Sequence, residues 1–159
     1  MRINFNTGRV QSRVHGVDRT IRNLAYNNQN VLRAAQEGCV MAARHLKFKI
    51  QAKFGKYQQG WAPLSIAYRF RKLAKYGTTG KPLIAEGKMQ SSFYIREPQN
   101  KRITASVASD DPKLRFHVSP GTGSPVPKRD PVFPTVEEEE DAMHKIIRRR
   151  VGRAVNGRG

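Results

Sequence analysis

The sequence predicts an α+β fold: a long N-terminal helix, short helices, a small antiparallel sheet of about three or more strands, and a C-terminal helix. Three observations predict it. Apolar residues recur at steps of three and four between Val17 and Phe54, the stripe of an amphipathic helix. Two short runs, residues 91–97 and 102–108, flank the turn Pro98-Gln99-Asn100, and the second alternates at Ile103, Ala105 and Val107, as paired strands do. The last segment opens on Glu137-Glu138-Glu139-Glu140-Asp141 and ends on Arg148, Arg149, Arg150 and Arg153, the charge order that a helix dipole favours.

Taken in chain order, residues 1–16 are polar and show no periodicity, so they read as a flexible arm. Residues 17–155 read as a single α+β domain and 156–159 as a flexible tail. In the first helical stretch Asp18 is a candidate N-cap, and Gly55 stands where a C′ glycine belongs. Asn27-Asn28-Gln29-Asn30 weakens the middle, leaving open one long or bent helix or two. A continuous helix over 18–54 would be about 55 Å long, which in so small a domain calls for packing on copies of itself or on partners. Cys39 falls on the apolar stripe and reads as a small buried hydrophobe.

Ser65 is placed to cap a short helix to about Lys75, with Ile66, Phe70 and Leu73 on one side and Arg69, Arg71 and Lys72 elsewhere. The turn-rich stretch from Tyr76 to Pro82 ends it. About one helical turn is expected within 83–90, with Gly87 supplying a turn conformation before the first strand. Residues 114–118 are a candidate third strand, after the turn Asp110-Asp111-Pro112. A long loop rich in proline and glycine then runs over 119–134, a length more common in interaction elements than in plain connections. Thr135 with Glu138 makes a capping box for the last helix, whose narrow apolar face is Ala142, Ile146, Ile147 and Val151.

Composition bounds the function. The chain has 159 residues, 30 Lys+Arg against 12 Asp+Glu and a formal net charge of +18. Such a charge predicts self-repulsion and attraction to polyanions, of which nucleic acid is the commonest. The excess is uneven: residues 1–80 hold 15 basic and 2 acidic residues, residues 81–159 hold 15 and 10. No apolar run reaches the length of a membrane span, so no membrane partner is expected. The first ten residues lack a secretory apolar core, and one cysteine cannot form an internal disulfide, so a reducing compartment is expected. Neither zinc spacing nor a phosphate-binding glycine pattern is present: Gly80-Lys81 lacks the preceding glycine of a P-loop. Asp110-Asp111 reads as a turn, and His117 has no nucleophile at a spacing that marks a partner. No catalytic, cofactor-binding or metal residue is assigned, and no enzyme activity is expected.

From Trp61 onward an ordered set of short motifs stands out. Trp61-Ala62-Pro63-Leu64-Ser65 leads into Tyr68 and Arg71-Lys72; Lys81-Pro82-Leu83-Ile84 and Glu86-Gly87-Lys88-Met89-Gln90-Ser91-Ser92 follow. Phe116-His117-Val118, a glycine turn, and Pro127-Lys128-Arg129 with Phe133 complete it. Over residues 60–135 this set resembles the tailed-phage virion-morphogenesis or tail-completion family with its Mu G-type members. It is also similar to the wider group of phage neck and head–tail connector proteins.

The resemblance implies a subunit of a ring of six or twelve copies, joining head connector to tail around the DNA passage. It implies assembly in the host cytoplasm, residence in the virion, and other neck, connector and tail proteins as partners, with no cofactor. Trp61, Pro63, Leu64, Arg129 and Phe133 are then the candidate subunit or partner interface, since aromatic and arginine anchors dominate such contacts. Arg44, Lys47, Arg148, Arg149, Arg150 and Arg153 are candidate DNA-facing residues, through non-specific contact. The alternative is a non-specific basic nucleic-acid-binding protein, to which the charge alone points.

Overall fold

The computed structural model describes residues 3–6, 9–13, 21, 28–77, 81–84, 86–100, 102–119 and 127–156. It is α+β, with a long helix in the N-terminal third, short helices, antiparallel strand pairing and a long C-terminal helix. In chain order the elements are β1 (Ile3–Asn6), β2 (Arg9–Arg13), α1 (Gln29–Lys53), α2 (Ile66–Tyr76), α3 (Lys88–Ser91), β3 (Phe93–Arg96), β4 (Ser106–Ser109), α4 (Leu114–Val118) and α5 (Phe133–Val155).

The asparagine cluster that weakened the helical stripe is where α1 begins. Asn28 is extended, and its Oδ1 accepts from the backbone N–H of Asn30 at 2.9 Å and of Val31 at 3.4 Å. An asparagine that satisfies two of the first orphan amides starts a helix rather than continuing one. The Asp18 cap lies outside the described residues. At the far end Gly55 has φ +77°, the left-handed conformation expected of it, and its N–H donates to the Pro82 carbonyl at 3.0 Å.

α1 is the centre of the molecule. One side carries Val31, Ala35, Cys39, Ala42, Leu46 and Ile50, all buried, and packs against α5 through Val136, Met143, Ile147 and Val151. The two helices run antiparallel, since Glu37 meets Arg150 whereas Lys53 meets Glu138. Small residues permit the close approach: a Cβ on Gly38 would lie 3.2 Å from the Cα of Ile147. α1 also packs on β3 and β4. There Phe93 meets Phe54 edge to face, with ring centroids 5.7 Å apart.

β3 and β4 pair antiparallel, Phe93 opposite Ser109 and Arg96 opposite Ser106. All four residues of β4 are buried, as suits a strand with neighbours on both edges. Its other edge pairs antiparallel with β2, which pairs with β1. The stretch 1–16, expected as an arm, therefore contains the paired strands β1 and β2. The expected pair of runs is present but shorter: the first strand is Phe93–Arg96 and not 91–97, and the second is Ser106–Ser109 and not 102–108. Before it, Gln36 on α1 donates its side-chain amide to the carbonyls of Asn100 and Arg102 at 2.7 and 3.2 Å. Those carbonyls are taken by a helix side chain instead of a ladder. Ile103 and Ala105 still face the core, as their alternation indicated.

Two expectations are corrected. Residues 114–118 form helix α4, not a third strand. Asp111 accepts the N–H of Lys113 at 2.8 Å and sets a helical turn, after which Leu114 and Val118, four apart, are buried while Phe116 between them is exposed. The Thr135–Glu138 capping box is also absent. α5 starts at Phe133, and the carboxylate of Asp130 accepts from the N–H of Val132 at 2.7 Å and of Phe133 at 3.1 Å. Thr135 turns its hydroxyl the other way and donates to the Pro131 carbonyl at 2.8 Å. Glu138 reaches Lys53 of α1 instead, at 2.6 Å.

Candidate functional site

The loop 57–65 and the segment 127–134 meet at the start of α5, and the meeting is built around Arg129. Its side chain is 6% exposed. Nε donates to the Ala62 carbonyl at 3.1 Å, and one terminal nitrogen donates to Ala62 and Pro63 at 2.9 and 3.3 Å. Its N–H also donates to the His117 carbonyl at 3.0 Å. A guanidinium fork serves here to hold two carbonyls that the proline-containing loop leaves without partners. Leu64 is buried, Trp61 and Phe133 are half-buried, and Pro63 is exposed. Trp61, Pro131, Pro134 and Glu138 help to line a groove of about 510 Å³ at this end of the helix pair. The five candidate interface residues thus gather in one region, but Arg129 spends its hydrogen bonds within the chain.

α2 leaves this region, and among its residues only Lys72 is buried. Ser65 caps it, accepting from the Tyr68 N–H at 3.3 Å, and Gly77 closes it with φ +66°. The apolar side read from the sequence is present but faces outward: Ile66 is 72% exposed, Phe70 67% and Leu73 46%. The Lys72 ammonium donates to the Lys81 carbonyl at 2.6 Å and to the Ile84 carbonyl. Burial, and then the Arg129 cation, push the Lys72 amine below its usual range. The helix is fastened by a cation to backbone oxygens and not by an apolar face.

The candidate DNA-facing residues lie mostly toward the other end of the helix pair. Arg148, Arg149 and Arg153 on α5 and Arg44 on α1 are exposed, and Lys47 is half-buried. Arg150 and Arg153 line a groove of about 410 Å³ with Arg33, Asn30 and Glu37. Arg44 and Arg150 share the adjoining groove with Arg33. Arg150 is held by Glu37, its Nε donating at 2.9 Å. Arg33 was not singled out in the sequence; its spacing of four from Glu37 on a helix was the available signal.

The acids of α5 divide by position. Glu139 accepts from Lys49 at 2.8 Å and meets His45 at 2.7 Å, and these contacts hold its carboxyl below the usual range. Glu138 takes Lys53. Glu137, Glu140 and Asp141 are exposed, and no ion pair joins them among the described residues.

Cys39 is buried, and burial pushes its thiol up to about 11. His117 is half-buried, its pKa lowered by burial and then by Arg129, and its Nδ1 is buried without a hydrogen-bond partner among the described residues. No group of three or more His, Cys, Asp or Glu among the described residues is arranged to hold a metal ion. No described helix is long and apolar enough to cross a membrane. No family model, no curated protein and no solved structure matches the chain.

Proposed function

We propose that the chain is a structural assembly protein of a tailed phage, a neck or tail-completion ring subunit that joins head connector to tail around the DNA passage. The observation that carries this reading is α2. A helix that buries a lysine and leaves isoleucine, phenylalanine and leucine in water is made to be covered by another molecule. The motif order over residues 60–135 supplies the class of assembly. Its Trp61, Pro63, Leu64, Arg129 and Phe133 share one region, beside the start of α2. In this reading six or twelve copies close a ring, and other neck, connector and tail proteins stack on it. The subunit binds and seals and does no chemistry. It is assembled in the host cytoplasm and resides in the virion. The sheet works as a unit of three or more strands, with β1 and β2 carried on the edge of β4 opposite β3.

A second reading, a non-specific nucleic-acid-binding protein, is favoured by the arginine groove of Arg33, Arg150 and Arg153. Such a groove suits phosphate oxygens and carries no base readout. One experiment separates the two: sedimentation of the purified chain alone and with duplex DNA, over a range of salt. A closed oligomer that forms without DNA supports the ring subunit. A monomer that binds duplex with a steep salt slope contradicts it and favours the second reading.

A further inference from the structure

Two exposed surfaces among the described residues differ in kind and complement one another. α2 presents Ile66, Phe70 and Leu73 flanked by the exposed cations Arg69, Arg71 and Lys75. The start of α5 presents the exposed acids Glu137, Glu140 and Asp141, on the helix whose Pro134, Thr135 and Glu138 line the groove with Trp61. One surface is an apolar ridge with a basic rim; the other is a recess of mixed lining, Trp61 and Pro134 among Gln58, Gln59, Lys53 and Glu138, on a helix that carries further exposed acids.

We infer that α2 of one copy docks into the groove at the start of α5 of a second copy. The net charge is what singles out this pairing. Copies of a chain at +18 repel one another over most orientations. With 12 acids against 30 bases, a cationic face finds attraction on a second copy only where acids are concentrated and joined by no ion pair among the described residues. Glu137, Glu140 and Asp141 form that place. The arginine end of the helix pair has charge of the wrong sign to receive α2. Apolar burial supplies the attraction at the centre of the contact, and the charged rims set its register and reject other orientations. Because the two surfaces are different patches, the contact is heterologous: each copy uses its α2 on one neighbour and its groove on another, and such a contact can close a ring. The inference rests on the ring-subunit reading and names the surfaces that reading needs.

The test uses two full-length variants, each with one surface spoiled and the other intact. Phe70→Glu disables the ridge; Glu137→Lys with Glu140→Lys disables the groove. All three positions are exposed, and thermal melts check that both variants fold. Sedimentation velocity then reads mass. The wild-type chain is expected to assemble, each variant alone to remain at the monomer mass of 18.0 kDa. An equimolar mixture is expected to form a species of twice that mass and nothing larger, since only one intact ridge and one intact groove meet. A wild-type oligomer unaffected by either variant overturns the inference while leaving the ring-subunit reading in place. So does a mixture of the folded variants that stays monomeric. A wild-type chain that stops at dimers, with the mixture still pairing, supports the docking and contradicts the ring. A wild-type chain that stays monomeric at every concentration overturns both.

Discussion

At the residue scale, charged side chains spent on backbone atoms organise the region between α2 and α5. Arg129 holds the Ala62 and Pro63 carbonyls, Lys72 holds those of Lys81 and Ile84, and Asp130 holds the amides of Val132 and Phe133. Asp130 is the sharpest case. Burial raises its carboxyl above 3.8, against the two amide hydrogen bonds that lower it. A raised carboxyl pKa means the ionised form costs the fold stability once the pH exceeds the unfolded value, whereas the acceptor oxygen itself stabilises the helix start. The two effects separate by substitution. Asp130→Ala loses the cap and is expected to lower stability by about 1–2 kcal/mol in urea melts at neutral pH. Asp130→Asn keeps an acceptor without the charge and is expected to stay within about 0.5 kcal/mol of wild type. Equal losses in both variants would show that the cap is not what Asp130 contributes. The sequence pointed to Thr135 and Glu138 for this cap because their spacing has the right form. It could not show that Pro131 offers Thr135 a carbonyl, or that Lys53, 85 residues away in sequence, claims Glu138.

At the element scale, the antiparallel pair α1–α5 sorts its charges along its length. The acidic start of α5 lies beside His45, Lys49 and Lys53 of α1, and Arg150 near its end lies beside Glu37. Glu139 carries the pH dependence of this seam. Its folded carboxyl is held below 4.5, so the stability it contributes is fully present above that value and is lost as pH falls through the lower folded value. In thermal melts between pH 7 and pH 3, roughly, wild type should exceed Glu139→Gln by about 1 kcal/mol at neutral pH, a gap that closes in acid. A gap that persists unchanged at the acid end would remove Glu139 as its source.

The elements also show what the sequence made legible. The helical stripe of α1 and the glycine after it were readable because capping is local, whereas its asparagines read as a weak middle and not as a start. α4 was misread because five residues carry too few turns to separate a period of two from a spacing of four. α2 was located almost to the residue, with Ser65 as cap and an end near Lys75 against the observed Tyr76, but its orientation was not. A stripe of Ile66, Phe70 and Leu73 looks the same whether it faces its own core or a neighbour. Only the burial of Lys72 on the opposite side decides between them.

At the scale of the whole molecule, the net charge is resolved into two ends. α1 has 25 residues, so at 1.5 Å each the helix pair is about 37 Å long. Near one end are Arg33, Arg150 and Arg153, and near the other the exposed acids of α5, the Trp61 groove and the loop that leads into α2. The total charge was plain in the sequence; its division was not, because it depends on which helix ends lie side by side. A subunit with cations at one end and complementary ridge and groove toward the other can close around a polyanion while its copies adhere. The most direct measurement of this claim is negative-stain electron microscopy of the purified chain without DNA. The account predicts closed rings of one size, with an opening wide enough for duplex DNA. A field of single molecules, or of open chains of varying length, would contradict it.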